Sequence, residues 1–112
     1  MKKPAKREAR FAFAEAFQDT FDDFVKPDTP RADRFKDFMD KKGKIPPERL
    51  PGTMRDHALT GALSGFKECH LDGDVLLIYT HERDEVMLYR VCDHADIAGR
   101  RATKMAKLLR KK

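Results

Sequence analysis

The sequence has no apolar run near the roughly 20 residues that a bilayer-spanning helix requires, which excludes a membrane span. Its start, Met1-Lys2-Lys3-Pro4-Ala5-Lys6-Arg7, is cationic but is followed by no apolar stretch, so it does not read as a secretory signal. The cytoplasm is the expected compartment, with no membrane partner. Cysteine is scarce. Cys69 and Cys92 are too few for a disulfide framework, and in a cytosolic chain they read as buried or half-buried thiols. There is no CxxC pair and no HExxH helix. Cys69-His70 and Cys92-Asp93-His94 look like ligands, but adjacent strand residues point to opposite faces and cannot easily grip one ion. No metal site is expected. A chain of 112 residues can bury one modest core but not an enclosed cofactor chamber, so no cofactor is expected either. No internal repeat or low-complexity tract divides it, and residues 1–112 read as one domain.

What the sequence has in abundance is charge, unevenly placed. Residues 1–10 form a basic N-terminal segment with five basic residues against Glu8 alone. Residues 100–112 carry seven basic residues and no acid. Between them, residues 11–99 hold 18 acidic and 12 basic residues. Cationic ends suit a phosphate-rich partner, since neutralising phosphates releases condensed counterions. They equally suit a merely soluble surface, and charge alone does not choose.

Hydrophobic spacing gives the elements. Arg10-Phe11-Ala12-Phe13 can close a short strand, with Phe11 and Phe13 on one face. Phe13, Phe17, Phe21 and Phe24 recur at helical spacing and predict an amphipathic helix over about 13–25. Thr29 as N-cap and Pro30 at the first helical position open a second helix, ending near Lys42-Gly43, with Ala32, Phe35, Phe38 and Met39 inward. The proline-rich stretch Lys44–Gly52 predicts an ordered connector. Three strands follow: Phe66–Leu71, Val75–Thr80 and Glu85–Cys92, turning at Asp72-Gly73 and at His81–Asp84. Val75–Thr80 is apolar enough for a central strand covered on both faces. His81, placed in the second turn, reads as a surface residue. From about Asp96, Ile97, Ala98, Ala102, Met105, Leu108 and Leu109 line one face of a basic C-terminal helix. The class is α+β: an antiparallel meander packed against two N-terminal helices, with an additional C-terminal helix.

Imidazole is the side chain suited to proton transfer near neutral pH, and three histidines fall at or beside this sheet: His57, His70 and His94. A lone histidine is more often structural than catalytic. Alternation, however, puts Phe66, Glu68 and His70 on one face and Lys67, Cys69 and Leu71 on the other. A carboxylate and an imidazole two apart can share a groove, and Cys69 is turned away from His70 as a nucleophile.

Three stretches then carry a resemblance. Asp56-His57-Ala58-Leu59-Thr60-Gly61, Gly65-Phe66-Lys67-Glu68-Cys69-His70 and Asp74-Val75-Leu76-Leu77-Ile78-Tyr79, closed by Asp93-His94, resemble the ordered signature of YafQ-type toxins in the RelE/ParE superfamily, over about residues 50–98. The resemblance implies a RelE-like fold. It implies a type II toxin acting as a ribosome-dependent mRNA endoribonuclease without a metal, neutralised by a cognate antitoxin in a hetero-oligomer. By motif, His57, His70 and His94 map onto the family's active-site histidines, Glu68 onto its strand carboxylate and Asp74 onto its loop aspartate. The implied reaction is attack of a ribose 2′-OH on the adjacent phosphate, with His94 as general acid and His57 or His70 as base. Glu68 and Asp74 would orient the imidazoles, and Arg55 and Lys67 would meet the charge developing on phosphorus. Arg100, Arg101 and Lys104 on the C-terminal helix would grip RNA.

Two positions depart from the family pattern: Val75 and Ala98 stand where aromatics are common, which bears on base stacking. The same fold also serves ParE-like toxins that poison gyrase without catalysis, and could serve a module that binds antitoxin but no longer cleaves. The histidine set favours the nuclease.

Overall fold

The computed structural model describes residues 8–111. Most of the basic N-terminal segment, Met1–Arg7, and the final Lys112 lie outside the described residues. Strand β1 (Arg10–Phe13) runs parallel to β5 (Glu85–Asp93), Phe11 opposite Val86 and Phe13 opposite Leu88. The backbone stays tied to β5 one residue further, where the Ala14 N–H donates to the Leu88 carbonyl at 2.9 Å. Helix α1 therefore starts at Phe17, not near residue 13, and ends at Phe24. The Phe spacing is still read correctly, since Phe13, Phe17, Phe21 and Phe35 make one run of tilted and edge-on ring contacts.

Helix α2 (Thr29–Lys42) ends at Gly43 as expected, but its N-cap is Asp28, whose carboxylate accepts from the Arg31 N–H at 3.0 Å. A carboxylate there also meets the positive end of the helix dipole. Phe38 is fully buried, with Ala32, Phe35 and Met39 packed around the same core.

Among the described residues the sheet has five strands, in the order β1-β5-β4-β3-β2. The predicted meander is its antiparallel centre: β3 (Lys67–His70), β4 (Val75–Glu82) and β5. Strand β2 is only His57–Ala58, paired antiparallel with β3, where the sequence suggested connector. The β4–β5 turn also sits later than expected. His81 is a half-buried strand residue opposite Val86, and the reversal falls at Arg83-Asp84, with Arg83 at φ 54°.

Apolar residues cover both faces of β4, as its composition predicted. On one face Leu77 and Tyr79 join Leu50, Met54, Val86 and Leu88 beneath α1 and α2. On the other, Leu76 and Ile78 pack with Leu63, Phe66 and Cys92 beneath α3 (Arg100–Lys111). The C-terminal helix begins later than Asp96, because a short 3-10 turn (His94–Ile97) intervenes and Gly99 takes φ 55°, a conformation that suits glycine. Met105, Ala106 and Leu109 are its buried residues, whereas Leu108, expected inward, is 49% exposed. No helix among the described residues is long and apolar enough to cross a membrane.

Candidate active site

Two pairings assemble the site. Antiparallel register sets His57 of β2 directly opposite Glu68 of β3, so both side chains leave the same face. Two residues on, alternation returns His70 to that face. The result is a shared carboxylate: Glu68 Oε2 lies 3.1 Å from His57 Nε2 and 3.5 Å from His70 Nε2. Glu68 is 4% exposed and its other oxygen, Oε1, has no partner among the described residues. A buried carboxylate oxygen without a donor is costly, and sites of chemistry are where such a cost is found.

His57 itself is exposed. Its Nδ1 lies 2.6 Å from the Arg55 carbonyl, a group that can only accept, so Nδ1 donates. Arg55 is held in the left-handed region at φ 47°, which turns that carbonyl toward the ring. Both partners of His57, the Arg55 carbonyl and the Glu68 carboxylate, are acceptors.

His94 completes the row. It follows β5, and its ring meets His70 edge to face with centroids 5.0 Å apart; His70 and His57 are 6.4 Å apart. Asp74, in the β3–β4 turn, lies 3.1 Å from His94 Nδ1 and accepts from the His94 backbone N–H at 3.3 Å. With Nδ1 engaged, Nε2 is the nitrogen left to meet a substrate. Burial holds the His70 imidazole below its ordinary pKa, opposed by the Glu68 charge and helped by His94 and Arg55. Near neutral pH His70 is thus a neutral imidazole. One nitrogen faces Glu68 and the other carries the lone pair.

The thiols take no part. Cys69 and Cys92 are free and buried; burial drives the Cys69 thiol far above its usual range and pushes Cys92 up to about 12. Of groups that could hold a cation, Glu68, His70 and His94 offer three donor atoms within 4.8 Å of one another, a set the sequence did not suggest.

The cations expected to meet RNA divide. Arg55 is exposed beside His57. Lys67 points to the opposite face, its Nζ 5.7 Å above the Tyr79 ring, so it does not join the imidazoles. Alternation had already put it there. Arg100 is exposed at the start of α3. Arg101 reaches back to the Ala95 carbonyl at 3.5 Å and, with Lys104, lines a groove between α1 and α3 floored by Arg90 and Val91. None of the three imidazoles lines that groove. Val75 is a core residue, 3% exposed, so a ring at this place would be embedded and not free to stack; Ala98 is exposed.

Sequence reasoning missed the buried support behind the row. The Tyr79 hydroxyl donates to one oxygen of Asp56, and Lys42 Nζ donates to the other at 2.8 Å. On the far side, Arg31 and Arg34 of α2 grip the β3–β4 turn. Only the Asp56-His57 pair and the polar end of the Leu77-Ile78-Tyr79 run hinted at it.

A family model described as a bacterial toxin of type II toxin-antitoxin systems, YafQ, matches residues 10–99, well beyond the stretch that carries the sequence resemblance. A curated Haemophilus influenzae protein named as a YafQ toxin is 40% identical over 53 residues, 44% of this chain and 52% of the relative. The match therefore spans about half the length of that relative. Among solved structures, a copper-bound mutant toxin from Helicobacter pylori is 28% identical, with a TM-score of 0.62 over 80% of this chain and 98% of that one. The Escherichia coli DinJ-YafQ toxin-antitoxin complex gives a TM-score of 0.64 at 19% identity, over 81% of this chain and 98% of its toxin; this likeness is one of fold.

Proposed function

The chain belongs to the YafQ family of toxins from type II toxin-antitoxin systems, and from that premise we propose that it is an mRNA endoribonuclease acting on the translating ribosome. The observation that carries the reading is the row of three imidazoles tied to two carboxylates, His57, Glu68 and His70 on one sheet face and His94 with Asp74 at its end. A protein that acts by contact alone has no need of it, which weighs against the gyrase-poisoning alternative.

The chemistry needs no metal. His70, neutral and backed by Glu68, takes the proton of the ribose 2′-OH, which attacks the neighbouring phosphate. His94, fixed through Nδ1 by Asp74, gives a proton from Nε2 to the departing 5′-oxygen. At 5.0 Å their rings are close enough to serve the two apical oxygens of one phosphorus. His57 faces an acceptor through each ring nitrogen, so its role is to orient Glu68 and, with Arg55, to meet the phosphate charge. Arg100, Arg101 and Lys104 extend a cationic track past His94 for RNA.

The partner is a cognate antitoxin, as in the Escherichia coli complex, in a hetero-oligomer formed in the cytoplasm. The test is cleavage of ribosome-bound mRNA by the purified chain, with 2′,3′-cyclic phosphate at the new 3′ ends. An intact message, or ends bearing a free 3′-OH, would defeat the proposal.

A further inference from the structure

We propose that Arg31 on α2 is a positioning residue for His94, acting through Asp72 and Asp74 without touching substrate. The inference rests on the nuclease reading and extends it to a residue outside the site.

The contacts run in one direction across the molecule. Arg31 Nε donates to Asp72 Oδ2 at 2.5 Å, and its Nη1 donates to the Phe24 carbonyl at 2.9 Å, which fixes the guanidinium between α1 and the turn. The two oxygens of Asp72 divide their work. Oδ2 takes Arg31, and Oδ1 accepts from the backbone N–H groups of Asp74 and Val75 at 2.9 and 3.0 Å. These two bonds set the backbone at Asp74, whose carboxylate in turn holds His94 by ring and by backbone. Three links join the helix to the imidazole.

Electrostatics point the same way. Asp72 and Asp74 sit two residues apart on a tight turn and repel one another, and Arg31 is the cation that offsets both. Its guanidinium is held above its ordinary pKa by the bond to Asp72, with further contributions from Asp28 and Asp74. Without that charge, Asp74 loses the reason to stay where His94 Nδ1 can reach it. In metal sites, residues that orient a ligand from one shell out typically carry ten- to a hundredfold of activity, and the same scale is expected of one that orients a catalytic imidazole.

The experiment combines single-turnover cleavage of ribosome-bound mRNA with 15N NMR of the His94 ring, for the wild type, Arg31→Ala and Asp72→Asn. Arg31→Ala is expected to lower the cleavage rate at saturation roughly ten- to a hundredfold with little change in half-saturating ribosome concentration. Millimolar guanidinium should restore part of that rate. The His94 ring resonances should move away from the Nδ1–H form in both variants. The inference is overturned if rate and resonances stay as in the wild type, or if the loss is matched by loss of folded protein and guanidinium restores nothing. A wild type that does not cleave would sink the nuclease reading. The NMR arm would then decide the Arg31 coupling alone, with moved resonances upholding it and unmoved ones overturning it.

Discussion

The buried hydroxyl of Tyr79 donates to the carboxylate of Asp56, the residue immediately before His57. Tyr79 lies at the end of the apolar stretch of β4 with no exposed surface, and its ring is packed edge-on against Phe38 of α2. Burial and the Asp56 charge both drive the phenol pKa upward, so it remains a donor at any working pH. Lys42, 8% exposed at its side chain, closes the triad from the end of α2. The loop that carries Arg55 and His57 is thereby fastened to the core.

Removing Asp56 should therefore cost stability and activity together. Asp56→Ala leaves the Lys42 ammonium buried without its partner, a loss of about 3 kcal/mol. Tyr79→Phe removes one charge-assisted hydrogen bond and should cost roughly 1.5–3 kcal/mol. Urea unfolding of both variants checks the order, with Asp56→Ala the less stable.

The three imidazoles should not respond alike. His70→Ala and His94→Ala remove the proposed base and acid, and each should lower cleavage about 10²- to 10⁴-fold. His57→Ala should be milder, because it takes no proton in the scheme. Rates on ribosome-bound mRNA, measured with folding checked by circular dichroism, separate these roles; a His57 variant as dead as the other two would transfer the base function to His57.

Acid should weaken the fold through buried His70 and half-buried His81. His70 and His81 are held below the ordinary value of 6.5, chiefly by burial. As pH falls through 6.5 the unfolded chain takes up protons first, so stability drops from there down to the folded-state pKa and is flat above. Thermal melts between pH 5 and 8 should follow this slope, and His70→Gln should flatten part of it. Cleavage should fall over the same acid range, since the proposed base must be neutral.

Much of this is legible in the sequence. Phe17, Phe21 and Phe24 declared a helix by spacing, and Glu68 and His70 declared a shared face by alternation, because both are local periodicities. Strand β2 was not legible. Two residues have no period, and His57–Ala58 is a strand only through its register with β3. The Arg31–Asp72 and Lys42–Asp56 pairs were equally hidden, since a chain with 24 basic and 19 acidic residues offers no way to choose partners. Lys67 is a different case. The alternation that groups Glu68 with His70 assigns Lys67 to the other face, where its ammonium lies over the Tyr79 ring, and only its place in the motif points to RNA.

Divalent zinc should act as an inhibitor of the row. Tetrahedral zinc binds imidazole nitrogen at about 2.0–2.1 Å, which requires donors about 3.4 Å apart. His70 Nε2 and Glu68 Oε2 already stand 3.5 Å apart, and His94 offers a third donor within 4.8 Å of them. The unpartnered Glu68 Oε1 adds an oxygen that gains a partner if the carboxylate turns. A zinc ion there would replace the contact between Glu68 and His70 Nε2 and tie up His94, so binding and cleavage compete. Added zinc should suppress cleavage and EDTA should restore it, while calorimetry should show weaker zinc binding to Glu68→Gln and His94→Ala. Equal affinity in both variants would place the ion elsewhere and leave the imidazoles free.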